Sequence, residues 1–394
     1  MSLSPPVPSS LGRALTQVHL GEGLRSELTE RLGLTRTAVG SLLRDLDALD
    51  LVRTSADGLS PGGAGRPSHT VAIAPEAPRA LAVQVRVHTV VVAEIVLGAQ
   101  VVDLEEATLP SPGTAEQVLG SAAVRVADRL ESGHRYVGVG VAVPSAVGRD
   151  GTALRAHQLG WAQPVPVRDA MSGLLAARGH EAVPVVVGND ANLGAVAESR
   201  HGSGRGAQHL LYLMTGQRGV GGGFVVAGRP FGGSLGYAME VGHLPVRAEG
   251  RRCHCGNTGC LEAEADPVAL LAAAGQRDSR DPLAAARRLV AASGADPRLS
   301  RAVDSVVERL ATALGSLVNT LNPDRIVLAE LYADLLRVAP DRLRDLIAHA
   351  SFVDAASRVE TVPASLEQAG LVGAGELAFQ PLLDDPRAVL AAQS

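Results

Sequence analysis

Every cysteine of the chain falls in one short stretch. Cys253, Cys255 and Cys260 lie in GRRCHCGNTGCLE, residues 250–262, and the other positions of the 394-residue sequence carry none. An odd number of thiols cannot pair off completely, and C-x-C spacing suits a metal better than a disulfide framework. Upstream, in EVGHLPV, stands His243, which completes H-x9-C-x-C-x4-C. Three soft thiolates and an imidazole form a tetrahedral zinc set. Four protein ligands leave no open coordination position, so the expected Zn2+ is structural and not hydrolytic. Gly256 and Gly259 let the loop fold tightly around the ion. His254 is the alternative nitrogen ligand. It ranks below His243 because a residue between two chelating cysteines points away.

Those ligands need a scaffold, and the composition bounds it. Hydrophobic residues make up 46% and charged residues 20%, as in a soluble globular chain with room for large cores. The formal charge is −5 and all 36 cations are Arg. No global basic field advertises nucleic acid, so any DNA contact must be local. The first ten residues, MSLSPPVPSS, lack the features of a signal peptide and read as disordered. The most apolar stretches are short, Val- and Gly-rich and broken by Pro, so they read as buried strands and not membrane spans. A cytoplasmic protein is expected.

From residue 80 the sequence alternates and is β-branched, and ALAVQVRVHTVVVAEIVLGAQVVDL predicts a hairpin. Further strands are predicted at 137–143, 183–187, 210–214, 224–226 and 325–328. Helices are predicted at 114–132, 167–178, 192–199, 282–292 and 299–321. Strands with interspersed helices predict α/β layers in two halves, residues 80–200 and 201–385.

Residues 11–75 differ in texture. In LRSELTERLGLTRTAVGSLLRDLDALDLV, Leu24, Leu28 and Leu32 recur every four residues, Gly33 ends that helix, and Thr35 caps the next. Val39, Leu42, Leu43, Leu46 and Leu49 then face inward. Arg36, Thr37, Gly40, Ser41 and Arg44 form an opposite face suited to the major groove. Residues 51–73 predict a two-stranded wing tipped by Gly65-Arg66-Pro67, with Arg66 held extended for a minor groove. The bland alternative is a helical docking module, since residues 1–75 hold seven Arg against seven acids.

MEVGHLPV followed by CHCGNTGCLE resembles the signature of the ROK family: repressors, open reading frames of unknown function, and sugar kinases. Leu159–Trp161 (LGW), Asn189–Asn192 (NDAN), Thr215–Gly223 (TGQRGVGGG) and a late GAGELA extend the resemblance across residues 20–380. It implies an actin-like, ribonuclease-H-like α/β domain of two lobes, preceded by a winged helix-turn-helix. It also implies that Asn189, Asp190, Glu240, His243 and Glu262 hold a pyranose. The chemistry is sound, because hydroxyls donate and accept at once and carboxylates can bind them in pairs. For Asn189-Asp190 the alternative is a turn and helix cap. Gln158 departs from the Asn of many members, which bears on which sugar is held.

The same resemblance implies a kinase without its machinery. Active members carry D-x-G-G-T where this chain has Gln84-Val85-Arg86-Val87-His88-Thr89, so the acid that helps hold Mg2+ is gone and larger side chains are expected to occupy the phosphate space. Ala329-Glu330 replaces a Gly-Gly beside the adenosine. Gly219–Gly223 reads as a tight hairpin turn. Asp190 matches the catalytic base, but without a nucleotide it should serve only as a sugar ligand.

The expectation is a sugar-responsive DNA-binding regulator, most simply a repressor, that binds operator DNA as a homodimer or homotetramer and does not phosphorylate its sugar. The alternatives are an active ATP-dependent sugar kinase with a DNA-binding appendage, and a regulator controlled by a protein partner.

Overall fold

The fold is that of a computed structural model describing residues 7–21, 23–55, 69–109, 113–277, 279–352 and 359–392. Three helices open it: α1 (Ser10–His19), α2 (Arg25–Leu32) and α3 (Arg36–Ala48). Gly33 ends α2 at φ 64, the left-handed conformation its lack of a side chain permits, and Thr35 Oγ1 accepts the Ala38 N–H to cap α3. Val39, Leu43 and Leu46 are buried. Strands β1 (Val52–Ser55) and β2 (Thr70–Ile73) pair antiparallel as the base of the wing. Arg66 and the proposed tip lie outside the described residues.

The first lobe is a sheet of order β5-β4-β3-β6-β9. Its strands are β3 (Arg79–Val85), β4 (Thr89–Ile95), β5 (Val101–Thr108), β6 (Tyr136–Val143) and β9 (Val185–Asn189). A small ladder joins β7 (Thr152–Ala153) to β8 (Val165–Pro166), and helices α4 (Ala115–Leu130), α5 (Val167–Ala176) and α6 (Asp190–His201) accompany the sheet. The expected hairpin is instead a meander of three antiparallel strands. The extra reversal uses Gly98 at φ 89 and Ala99 at φ 63, and only the first advertises a turn.

The second lobe repeats the plan in the order β12-β11-β10-β13-β14. It comprises β10 (His209–Thr215), β11 (Val220–Val226), β12 (Arg229–Pro230), β13 (Arg325–Leu328) and β14 (Glu360–Pro363). In each sheet three antiparallel strands continue into two parallel ones. Its helices are α7 (Leu261–Ala265), α8 (Pro267–Ala273), α9 (Pro282–Ala292), α10 (Pro297–Leu321), α11 (Leu331–Val338) and α12 (Pro340–Ala350). Gly221 and Gly223 sit inside β11, after a turn at 216–219, rather than in a hairpin turn. A Cβ on Gly221 would come within 2.6 Å of Ala191 Cβ, and one on Gly223 within 2.5 Å of Ala195 Cβ. The glycines therefore let α6 lie flat on the strand.

Two boundaries differ from expectation. Helix α13 (Ala369–Asp384), followed by α14 (Pro386–Ala392), leaves the second lobe and packs on β3, β6 and α6. The expected disorder of residues 1–10 does not hold at residues 9 and 10, while residues 1–6 lie outside the described ones: Ser9 caps α1, and its N–H bonds the Asp384 carbonyl at 2.9 Å. Leu11, Leu15 and Val18 of α1 join Leu28, Val39, Leu46, Ile95, Phe379 and Leu382 in one continuous core. The N-terminal module thus shares a hydrophobic interior with the first lobe. Each of its large apolar side chains contributes about 1.5–3 kcal/mol when fully buried, so this is a fixed attachment. Among the described residues no helix is long and apolar enough to cross a membrane.

Candidate functional site

The cysteine loop leaves β11 through residues 227–260 and closes into α7. An isolated bridge, Pro245 with Cys260, and the Leu261 N–H to the Leu244 carbonyl at 2.8 Å set His243 beside the thiols. The donor atoms of His243, Cys253, Cys255 and Cys260 all lie within 4.8 Å of one another. His243 Nδ1 is 3.7 Å from Cys253 Sγ, and Cys255 Sγ is 3.7 Å from Cys260 Sγ. Zinc–sulfur bonds of about 2.3 Å in a tetrahedron require sulfur–sulfur edges of about 3.7 Å, so the donor set fits a metal. Burial pushes the Cys253 thiol above its ordinary range. A divalent cation would act in the opposite sense and hold thiolates. His254 takes no part in this group of four: its Nδ1 pairs with Glu262 Oε1 at 2.8 Å.

Next to the loop is a narrow cleft between the lobes, of about 90 Å³. Asn189, Asp190, Glu240, His243 and Glu262 all line it, so the fold brings the five expected positions together. They come from different elements: the β9–α6 junction, the loop after β12, and α7. With its Nδ1 turned to Cys253, His243 keeps Nε2 for the cleft. Burial lifts the Asp190 carboxyl to about 7, and the negative charge of Glu240 adds to the effect. Burial lifts Glu262 to about 7 as well, with Asp266 and Glu240 contributing. Glu240 stands at a more open rim and is also raised by desolvation. Three carboxylates that repel one another, two of them enclosed, form a strong set of acceptors.

Asn189 is largely engaged in structure. Its Oδ1 caps α6 through the Asn192 N–H at 2.9 Å, and its Nδ2 donates to the Ser145 carbonyl at 3.1 Å. The cap alternative therefore describes this amide, whereas Asp190, at the first position of the helix, keeps its carboxylate at the cleft floor. Arg155, His157, Arg218 and His254 also line the cleft. Sequence reasoning had not placed them there, because their loops carry no periodic signal.

Beyond Asp190 a second cavity opens, of about 690 Å³, lined by Gln84–Val87 and by Ala329-Glu330 on the far side. The expectation that larger side chains fill this space is corrected. Gln84 and Arg86, two residues apart on one face, turn sideways: Arg86 Nη2 donates to Gln84 Oε1 at 3.0 Å and to Gln368 Oε1 at 2.6 Å. Glu330 stands at φ 54, ψ −128, a conformation that favours glycine.

At the N-terminal module, Arg36, Thr37, Ser41 and Arg44 are all exposed on one face of α3. Arg25, not singled out in the sequence, covers Gly40 and donates to the Arg36 carbonyl at 2.8 Å, adding a third cation to that surface.

One buried cluster had no counterpart in the sequence reading. Glu376, within GAGELA, accepts from His19 Nε2 at 2.8 Å and His201 Nε2 at 3.0 Å, and pairs with Arg200 at 2.6 Å. Burial would raise its carboxyl, but His19, His201 and Arg200 hold it well below the usual range. His19 Nδ1 accepts the Gly98 N–H at 2.9 Å, which leaves the proton on Nε2. That proton occupies the lone pair a metal would need, so the trio is a hydrogen-bonded junction. It joins α1, the end of α6 and α13.

The sequence profile of the ROK family matches residues 81–380. A glucokinase of Halalkalibacterium halodurans is 34% identical over 52% of this chain and 66% of its own length. A xylose repressor of Caldicellulosiruptor bescii is 30% identical over 55% of this chain and 56% of its own. The chain thus spans about half to two thirds of the length of these two curated relatives. Among solved structures, a ROK family transcriptional regulator homologous to the E. coli MLC protein superposes with TM-score 0.77 over 98% of both chains, at 19% identity. A ROK glucokinase from Streptomyces griseus, in complex with glucose and AMPPNP, gives TM-score 0.64 at 25% identity over 77% of this chain and 99% of its own. With three quarters of its length matched by the profile and an actin-like pair of lobes behind it, the chain belongs to the ROK family.

Proposed function

We propose that the protein is a sugar-responsive, DNA-binding transcriptional repressor whose kinase-like domain holds a sugar without phosphorylating it. The observation that carries this reading is the shared core: the helix-turn-helix is packed into the sugar lobe, so a change in that lobe changes the footing of α3. Helix α6 supplies the connection. Its N-terminus presents Asp190 to the cleft, and its last residue, His201, grips Glu376 against His19.

Arg36, Thr37, Ser41 and Arg44 read an operator half-site, with Arg66 at the wing tip, and a homodimer or homotetramer sets the spacing of two such heads. Asp190, Glu240, His243 and Glu262 accept and donate to sugar hydroxyls, with Asn189 shaping the floor. His243, Cys253, Cys255 and Cys260 hold a structural Zn2+, whose chemistry there is to fix the His243 ring and the loop leading to Glu262. Sugar closes the cleft and shifts α6, and the two heads lose their common register. A preference of a few kcal/mol for the closed state is enough. The working compartment is the cytoplasm.

The test is retention of genomic DNA fragments by the full chain at fixed salt, followed by elution with a panel of pentoses and hexoses. Release by one sugar is expected; retention indifferent to all of them would sink the reading. An ATP-dependent sugar kinase is the second reading. The open cavity beside Asp190 and the raised carboxyl of that residue, suited to a general base, favour it. Conversion of ATP and the sugar that binds into ADP and a sugar phosphate, assayed in the presence of Mg2+, separates the two.

A further inference from the structure

The carboxylate cleft also opens outward, over the cysteine loop. A third cavity, of about 370 Å³, lies there, and His157, Gln158, Arg218, Gly219, His254 and Glu262 line both spaces. Asp190 does not line the outer one. A Cβ on Gly219, which stands at φ 83, would crowd Gln158 Nε2 and fall 2.9 Å from Glu262 Oε2, so the glycine keeps the passage clear. A substituent on a ring hydroxyl beside Glu262 therefore leads into the outer cavity.

The two spaces differ in charge. The cleft gathers the carboxylates of Asp190, Glu240 and Glu262. In the outer cavity the acids are already engaged. Glu262 Oε1 meets His254 Nδ1 at 2.8 Å, and Asp266 accepts the Gly219 N–H at 3.0 Å and the Ala269 N–H at 2.7 Å. Burial raises the Asp266 carboxyl, while those N–H groups and the charges of Arg251 and Arg218 act against it, so both guanidiniums reach this space. Arg252 adds a third cation. Its backbone bridges Thr258 across the cysteine loop, and among the described residues no carboxylate lies within ion-pair distance of its side chain. Arg155, exposed at the cleft side, is in the same condition. The rings of His157 and His254, shared by both spaces, lie 4.6 Å apart and are tilted by 56°. Imidazoles present an apolar body and a polar edge, a surface for the C–H face of a second sugar ring. Guanidinium forks match the two oxygens of a carboxylate.

We propose that the outer cavity is a subsite for a carboxylate-bearing sugar unit, with Arg252 as its main cation beside Arg218 and Arg251, and that the effector is an acidic disaccharide whose other ring occupies the carboxylate cleft. The inference rests on the reading of that cleft as a sugar site. A monosaccharide fills only the inner part of this double site.

Calorimetric titration of the full chain tests it. Glucose, xylose and glucuronate are titrated alone, beside paired disaccharides that differ only at C6 of one ring, hydroxymethyl in one member and carboxylate in the other. One acidic member should bind about tenfold or more tighter than its neutral twin, and the gain should shrink to about two- to threefold at about 0.5 M salt. Arg252→Gln should remove most of that gain while the zinc content and the affinity for monosaccharide stay as they were. Arg252→Lys should fall between, since it keeps charge and loses the fork. Monosaccharides that bind while the twins do not differ, or while disaccharides are excluded, overturn the outer subsite and leave the cleft standing. A gain that survives both Arg252→Gln and Arg155→Gln does the same. Binding of glucuronate alone, with every neutral sugar and disaccharide silent, refutes the acidic disaccharide and the sugar reading of the cleft together, as does silence from all probes.

Discussion

Asp190 is a charge held where charge is disfavoured, and replacing it with Asn measures the strain. Burial moves its carboxyl from 3.8 to about 7. Below pH 4 both folded and unfolded chains are protonated there, and the residue is neutral to stability. Between 4 and 7 the unfolded chain gives up its proton while the folded one retains it, so stability falls as pH rises. Above 7 the loss is complete. A difference of about 3 pKa units corresponds to about 4 kcal/mol, and the opening of Asp190 onto the cleft trims this to about 2–3 kcal/mol. Asn keeps the shape and the acceptor that meets the Ala191 N–H at 2.9 Å, and carries no charge. Asp190→Asn should therefore be more stable than the parent, with the margin widening by about 2 kcal/mol between pH 5 and pH 8. Urea unfolding of both proteins at the two pH values reads it, and any metal loss common to both drops out of the comparison. A margin that does not change with pH, or a parent that is the more stable at pH 8, would refute the argument.

Cys255→Ser should cut the zinc content of purified protein from near stoichiometric to near zero by elemental analysis, and should abolish the sugar response; full metal content with response intact breaks the link between ion and cleft. Glu330→Gly removes a side chain from φ 54 and should raise stability by about 1 kcal/mol or more, checked by thermal melting at fixed pH. Arg44→Ala should weaken DNA retention and flatten its salt dependence with sugar affinity untouched by calorimetry; unchanged retention removes Arg44 from the interface.

The grouping of His243 with Cys253, Cys255 and Cys260 was legible because its chemistry is carried by residue type and short spacing, both of which survive in a one-dimensional string. The helix-turn-helix was legible through a four-residue leucine period, a glycine stop and a threonine cap. The third strand of the first meander was not, since Ala99 adopts a turn conformation that its side chain does not announce. The open cavity was missed for a different reason. Side-chain volume at Gln84 and Arg86 could be counted, but their direction depends on Gln368, nearly 300 positions later. The same distance hid the role of Glu376. An acid within an apolar helix is a visible oddity, but its partners on α1 and α6 lie 357 and 175 positions away.

The mixed core beneath α1 has a consequence for anyone dividing this protein. Excising the first 75 residues would strip Leu11, Leu15 and Val18 of Phe379 and Leu382, and would leave Glu376 buried without His19. Neither fragment would be a natural unit, and a chimera that grafts the N-terminal module onto another ROK domain must bring Ala369–Asp384 along as its pedestal.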